Sequence, residues 1–245
     1  MSLSEISLMK RLFSGVAVAA LAVTLVACSD EKNETAAAPA TSQTVSTETT
    51  GSTANAAELP TAEGDVDMAE VMKPGALPEM AIGEESAPVT IVEYMSMTCP
   101  HCAAFHNNTF DAIKTKYVDS GKVRFVVREF PFDPRAAAAF MLARCAPEGQ
   151  YFPMVSMLMK QQETWAAAQD GRDALLQMSK LAGFTEESFK ACLTNQKLLD
   201  DVNAVRERGA KEFGIAATPT FLINGKRYSG DMSVDTMSAL IDSIL

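Results

Sequence analysis

The chain has 245 residues, 47% of them hydrophobic and 21% charged, which excludes a wholly disordered or collagen-like polypeptide and leaves enough apolar side chains for a core. Thirty-one acidic against 21 basic residues give a formal net charge of −10, so a polyanion meets repulsion and no nucleic acid is expected as a partner. Five cysteines are too few for a small disulfide scaffold, and two of them, Cys99 and Cys102, have the C-x-x-C spacing shared by redox and metal sites.

Lys10 and Arg11 precede an uncharged run from Leu12 to Ala27, a basic n-region followed by an apolar h-region too short for an ordinary membrane span. The run ends in Leu25-Val26-Ala27-Cys28, which resembles the lipobox of bacterial lipoproteins, where the signal is cut before the cysteine and the cysteine is acylated. We therefore expect a signal peptide over 1–27 and a lipid anchor on Cys28, with translation starting at Met1 or Met9. Removing 1–27 takes off Lys10, Arg11 and Glu5 and leaves the rest acidic. From residue 28 to 64 Ser, Thr, Ala and Glu dominate, no aromatic occurs, and only Val45 and Leu59 are larger aliphatics. Such a stretch buries too little apolar surface to offset its ordering entropy, so it reads as a flexible tether. About 36 flexible residues reach on the order of 30 to 35 Å.

Residues 65–245 have the length of one domain and no internal repeat. Val89-Thr90-Ile91-Val92-Glu93-Tyr94 is a buried strand by pattern, with Glu93 an acid where an apolar residue belongs. After Cys99-Pro100-His101-Cys102, Phe110, Ile113 and Tyr117 fall at helical spacing and Gly121 supplies a stop, so Cys99 stands at a strand-to-helix junction. Residues 122–130 alternate as a second strand. Asp133-Pro134 caps the first of several helices, expected at 134–146, 152–164, 171–182, 186–194 and 196–213, with Gly183 and Gly214 as ends. Thr220–Ile223 and Lys226–Tyr228 flank Asn224-Gly225, a hairpin signal, and Ser233 caps a last helix. The class is α/β with a helical insertion at about 134–195.

These residues carry a family resemblance. The run VEYMSMTCPHCAAFH, the segment REFPFDP and Thr218-Pro219-Thr220 before a late strand resemble the DsbA-like proteins of the thioredoxin superfamily, over roughly Ala81 to Leu245. The resemblance implies a thioredoxin fold with an inserted helical domain and a monomer without cofactor or bound metal. It further implies transfer of disulfides to reduced exported proteins in the periplasm, and reoxidation by a quinone-linked membrane enzyme of the DsbB type. It places a cis-proline at Pro219, facing the active cysteine, with Thr218 and Pro100 at the substrate; from the residues alone the Thr218–Pro219 bond is expected trans, as most X-Pro bonds are. It also puts a buried acid, Glu93, beneath the resolving Cys102, where a carboxyl with a raised pKa relays a proton.

The chemistry follows from the residues as well. Backbone N–H groups and the helix dipole at a helix N-terminus stabilise a thiolate at Cys99, and His101 two residues on adds a positive charge or a hydrogen bond. A stabilised thiolate favours the reduced form, which makes the oxidised pair a strong oxidant; DsbA is the established example of this logic. Zinc binding by Cys99, Cys102, His101 and His106 is the weaker alternative, because adjacent ligands at one helix mouth do not build a closed tetrahedral site, and His106 reads as structural. With Cys28 acylated and Cys99 paired to Cys102, Cys145 and Cys192 remain; an exported protein tends to join them, and some DsbA-like relatives carry a second disulfide in this domain. Met95, Met97, Met154, Met157 and Met159 are read as core filler ahead of an adaptable substrate surface. The rival functions are a periplasmic disulfide reductase or isomerase and a non-catalytic thioredoxin-like binding lipoprotein.

Overall fold

The computed structural model describes residues 59–245. The expected signal peptide over 1–27, the lipid site at Cys28 and nearly all of the expected tether lie outside the described residues.

Six strands form one mixed sheet: β1 (Gly64–Asp65), β2 (Met80–Ile82), β3 (Val89–Met95), β4 (Val123–Glu129), β5 (Thr220–Ile223) and β6 (Lys226–Ser229), in the spatial order β1-β6-β5-β3-β4-β2. β3 and β4 are parallel, and every other pairing is antiparallel. β3 is central and buried on both faces, which is why it reads as a continuous apolar run. Its alternation sorts two cores. Ile91 and Met95 join Phe105, Phe110 and the helical insertion on one face, while Val92 and Tyr94 meet Phe130, Phe213 and Ile215 on the other. Glu93 shares the parity of Ile91 and Met95.

Helix α1 (Met68–Val71) begins at Asp67, whose Oδ1 accepts from Ala69 N at 2.8 Å. Between β3 and β4 the chain runs through α2 (Pro100–Phe105), a π turn at His106–Phe110, α3 (Asp111–Ile113) and a second π turn at Lys114–Val118. The insertion comprises α4 (Pro134–Cys145), α5 (Tyr151–Lys160), α6 (Gln162–Ala166), α7 (Gly171–Leu181) and α8 (Glu186–Leu193); α9 (Gln196–Phe213) then returns to the sheet, and α10 (Val234–Asp242) closes the chain. Asp133 caps α4 through Oδ1, which accepts from Ala136 N at 2.9 Å, with Pro134 at the first helical position. Gly214 ends α9 in the left-handed conformation, φ 65°. Asn224 and Gly225 take positive φ, 43° and 93°, as the two-residue hairpin between β5 and β6 requires.

Two parts of the fold differ from the sequence expectation. The tether was expected to reach residue 64, yet Gly64 pairs with Arg227 and Glu63 N donates to Arg227 O at 2.8 Å, because a short polar edge strand needs only backbone groups and leaves no hydrophobic signature. The elements β1, α1 and β2 were not anticipated for the same reason: each is four residues or fewer. Cys145, at the end of α4, is joined to Cys192 on α8 by a disulfide. Among the described residues no helix is long and apolar enough to cross a membrane.

Candidate active site

β3 ends at Met95, and a turn over Ser96–Thr98 delivers Cys99 as the N-cap of α2, with φ −78° and ψ 120°. The same sheet end receives β5, whose Thr220 pairs with Tyr94, so the segment Thr218-Pro219 that leads into β5 is brought against the turn. The Thr218–Pro219 peptide bond is cis, as the resemblance implied. The Cys99 thiol donates to Thr218 O at 3.2 Å. Both Cys99 and Cys102 are free thiols; Cys99 is partly exposed and Cys102 is buried.

The two sulfurs have opposed electrostatics. A hydrogen bond from the Cys102 thiol lowers Cys99 most, burial works against it, and Thr218 together with the backbone N–H groups of Cys102 and His101 adds to the lowering, so Cys99 is held at about 5. Burial pushes the Cys102 thiol far up, and the bond to Cys99 and the nearby Glu93 carboxylate push it the same way. One sulfur is therefore a ready thiolate and leaving group at the surface, and its partner a protonated thiol beneath it.

Glu93 is fully buried and pairs with His106, Oε2 to Nε2 at 2.9 Å. An ionised carboxylate only accepts, so in that state the imidazole Nε2 donates and its Nδ1 stays buried without a protein partner. His106 therefore serves the site indirectly, as the counter-group of the acid whose charge acts on Cys102. His101 is placed differently from the sequence expectation. Its ring turns outward to Asp231, Nδ1 to Oδ1 at 3.1 Å, and its contribution to the Cys99 thiolate comes through its backbone N–H. The reason is local: the first turn of α2 aims N–H groups at the sulfur, while the exposed side chain is free to find the nearest carboxylate. Pro100 is exposed at the helix mouth, and Thr218 and Pro219 are buried beside it.

Sequence reasoning missed two contributors to the site and one buried acid elsewhere in the fold. Gln162 of α6 donates from Nε2 to the Met97 and Cys99 carbonyls, each at 2.9 Å, and nothing local marks a glutamine in a helical block for that role. Asp133 is more than the cap that the sequence suggests: its Oδ2 also accepts from Thr98 Oγ1 at 2.5 Å, next to Cys99. Glu129 at the end of β4 is fully buried and pairs with Arg144 at 2.6 Å and Tyr151 Oη at 3.0 Å; an acid closing an apolar strand was the available signal. Met95, Met97, Met154 and Met159 are buried and Met157 packs against the core, in keeping with their reading as core filler.

A family model described as Thioredoxin matches residues 76–243. Over 168 residues the chain is 36% identical to a Rickettsia conorii protein named "Putative protein-disulfide oxidoreductase", covering 68% of this chain and 60% of that protein. A Rickettsia typhi protein of the same name is 34% identical over 168 residues, covering 68% of this chain and 62% of that protein. The chain thus spans about 60% of the length of these curated relatives. Among solved structures, alpha-DsbA1 of Wolbachia pipientis is similar with a TM-score of 0.66 at 30% identity, over 71% of this chain and 94% of that one. BdbD of Bacillus subtilis shares the fold at 21% identity and a TM-score of 0.61, over 74% of this chain and 96% of that one.

Proposed function

The chain belongs to the DsbA-like branch of the thioredoxin superfamily, and from that premise we propose that it is a thiol:disulfide oxidoreductase whose Cys99–Cys102 pair introduces disulfide bonds into exported proteins. The observation that carries this reading is the asymmetry of the pair, with Cys99 lowered to about 5 and Cys102 raised. Disulfide exchange runs toward the sulfur that is the better leaving group, and a stabilised Cys99 thiolate favours the reduced form of the enzyme.

In the oxidised protein a substrate thiolate attacks Cys99 Sγ. The Cys99–Cys102 bond breaks, a mixed disulfide forms, and Cys102 leaves and takes up a proton. A second substrate thiolate then attacks the substrate sulfur of the mixed disulfide and releases Cys99 as thiolate. The substrate has lost two electrons and gained a disulfide; the pair has gained both electrons. We assign the exchange of the Cys102 proton to Glu93, which acts on Cys102 and is held by His106: in its neutral form it supplies the proton that the leaving Cys102 takes up, and as the carboxylate it takes that proton back on reoxidation. Thr218 and Pro100 flank the attacked sulfur and receive the substrate backbone. The sequence features at the N-terminus support a periplasmic protein anchored by lipid on Cys28 and held off the membrane by its tether. Reoxidation by a quinone-linked membrane enzyme of the DsbB type completes the cycle.

The test is the reduction potential of Cys99–Cys102, measured on the full chain by alkylation across a glutathione series. A potential well above that of the glutathione pool is the expected result. A value at or below thioredoxin's, about −270 mV, overturns the oxidising direction and makes the protein a reductase.

A further inference from the structure

The exchange chemistry proposed above makes no use of Gln162. This side chain is only 7% exposed, although it belongs to the helical insertion and lies 63 residues from Cys99 in sequence. A primary amide nitrogen carries two hydrogens, and here they serve the carbonyls of Met97 and Cys99, which bracket Thr98. The Cys99 carbonyl also accepts from Ala103 N at 3.1 Å, the first backbone bond of α2, so Gln162 grips the oxygen on which the active helix starts.

The insertion presents this amide from a fixed corner. α5 stops at Lys160, and Gln161, with φ −114° and ψ 20°, turns the chain into α6. The buried Trp165 pins the corner by donating from Nε1 to Leu158 O at 2.7 Å, and Asn107, beyond α2, reaches Met159 O at 3.3 Å from the other side. Thr98, between the two gripped carbonyls, is held by Asp133. Residues 97–99 are thus tied by three side-chain hydrogen bonds to residues 133 and 162, at the start and in the middle of the inserted block.

We infer that Gln162 is a positioning residue for disulfide exchange: its amide holds the Met97 and Cys99 carbonyls so that the Cys99 sulfur stays at the mouth of α2 opposite Thr218, and it thereby couples the helical insertion to the reactivity of the pair. Carbonyl oxygens carry partial negative charge, and covering two of them with donors lessens the repulsion met by a thiolate formed on the same residue. The charged neighbours on the corner, Lys160 and Glu163, are exposed, so they act weakly through solvent. Within the site, Cys102, Glu93 with its partner His106, Asp133 and the outward His101–Asp231 pair are the remaining ionisable groups.

The test uses the full chain with Gln162→Met, which keeps the volume and loses the N–H groups, and Gln162→Glu, which replaces the donor with an oxygen. In the reduced protein the alkylation rate of Cys99 is followed against pH, beside a thermal melt. Both variants are expected to move the half-point of the Cys99 profile upward and to lower its reactivity at pH 5 several-fold, Gln162→Glu more than Gln162→Met. A pure packing role lowers the melting temperature and leaves the half-point in place, which overturns the inference. Should the variants fail to fold, the side-chain amide resonances of Gln162 in the reduced wild type decide. They are expected to shift with the Cys99 titration, and resonances that do not follow it overturn the inference equally. A wild-type potential at thioredoxin's level refutes the oxidase reading instead, and leaves these pH profiles to be judged separately.

Discussion

The carbonyl of Thr218 lies 3.2 Å from the sulfur of Cys99, across 119 residues of sequence. That contact is made by the neutral thiol, since a thiolate has no proton to donate. On ionisation the Thr218 hydroxyl, buried and without another partner, is the group positioned to donate, in keeping with the part Thr218 plays in lowering Cys99. Thr218→Val is expected to raise the Cys99 pKa, losing a charge-assisted hydrogen bond of about 1.5 kcal/mol, or roughly tenfold in the ionisation constant. The thiolate absorbance of the reduced protein against pH measures it, and an unchanged curve removes Thr218 from the account.

The pH dependence of stability has a definite sign. Cys99 is depressed from 9.0 to about 5 in the folded reduced protein, so its contribution is fully present above pH 9, declines as pH falls from 9 to 5, and is lost below 5. Cys102 is raised and stays protonated in both folded and unfolded chains below about pH 8, so it adds nothing in that window. Urea midpoints of the reduced form relative to the oxidised form should therefore climb from pH 5 to pH 8. A flat or falling difference contradicts the thiolate.

Glu93 and His106 form a buried pair, with side-chain exposures of 0% and 2%. Removing one partner of such a pair leaves the other polar group stranded. His106→Ala is expected to cost about 3 to 5 kcal/mol, and Glu93→Gln, which keeps an oxygen to accept from Nε2, clearly less. Chemical denaturation of both variants checks the ranking.

Gly209 lies inside the C-terminal half of α9 against the buried Tyr94 ring, where an added Cβ would stand 2.6 Å from Tyr94 Cε1. Alanine is the better helix former by about 1 kcal/mol, but the ring is buried and its hydroxyl accepts from Arg128, so moving it away from the new methyl strains that contact. Gly209→Ala should destabilise by about 1 to 3 kcal/mol. A melting temperature at or above that of the wild type would show that α9 can shift outward.

The Cys145–Cys192 bridge closes a loop of 47 positions within the helical block. Replacing both cysteines by alanine is expected to cost about 4 kcal/mol, an upper figure from loop entropy, while the potential of Cys99–Cys102 stays unchanged. A shifted potential would mean that the bridge is coupled to the redox loop.

Much of this protein was legible in its sequence, because the relevant signals are local. The apolar run around Glu93, the caps Asp133 and Ser233, the Asn224-Gly225 turn and the stop at Gly214 each act over a few residues, and each marks the element it predicted. The direction of the Cys99 pKa is the one expected at a helix N-terminus, although the bond from the Cys102 thiol contributes most to it and the backbone N–H groups less. What local pattern does not carry is the partner of each side chain across the fold. Only the packed structure turned His101 toward Asp231, set His106 under Glu93, and brought Gln162 and Thr218 to the turn that holds Cys99. Hydrogen bonds need their atoms within about 3 Å, and for residues 13 to 130 positions apart that proximity is fixed by how the elements of the fold pack together.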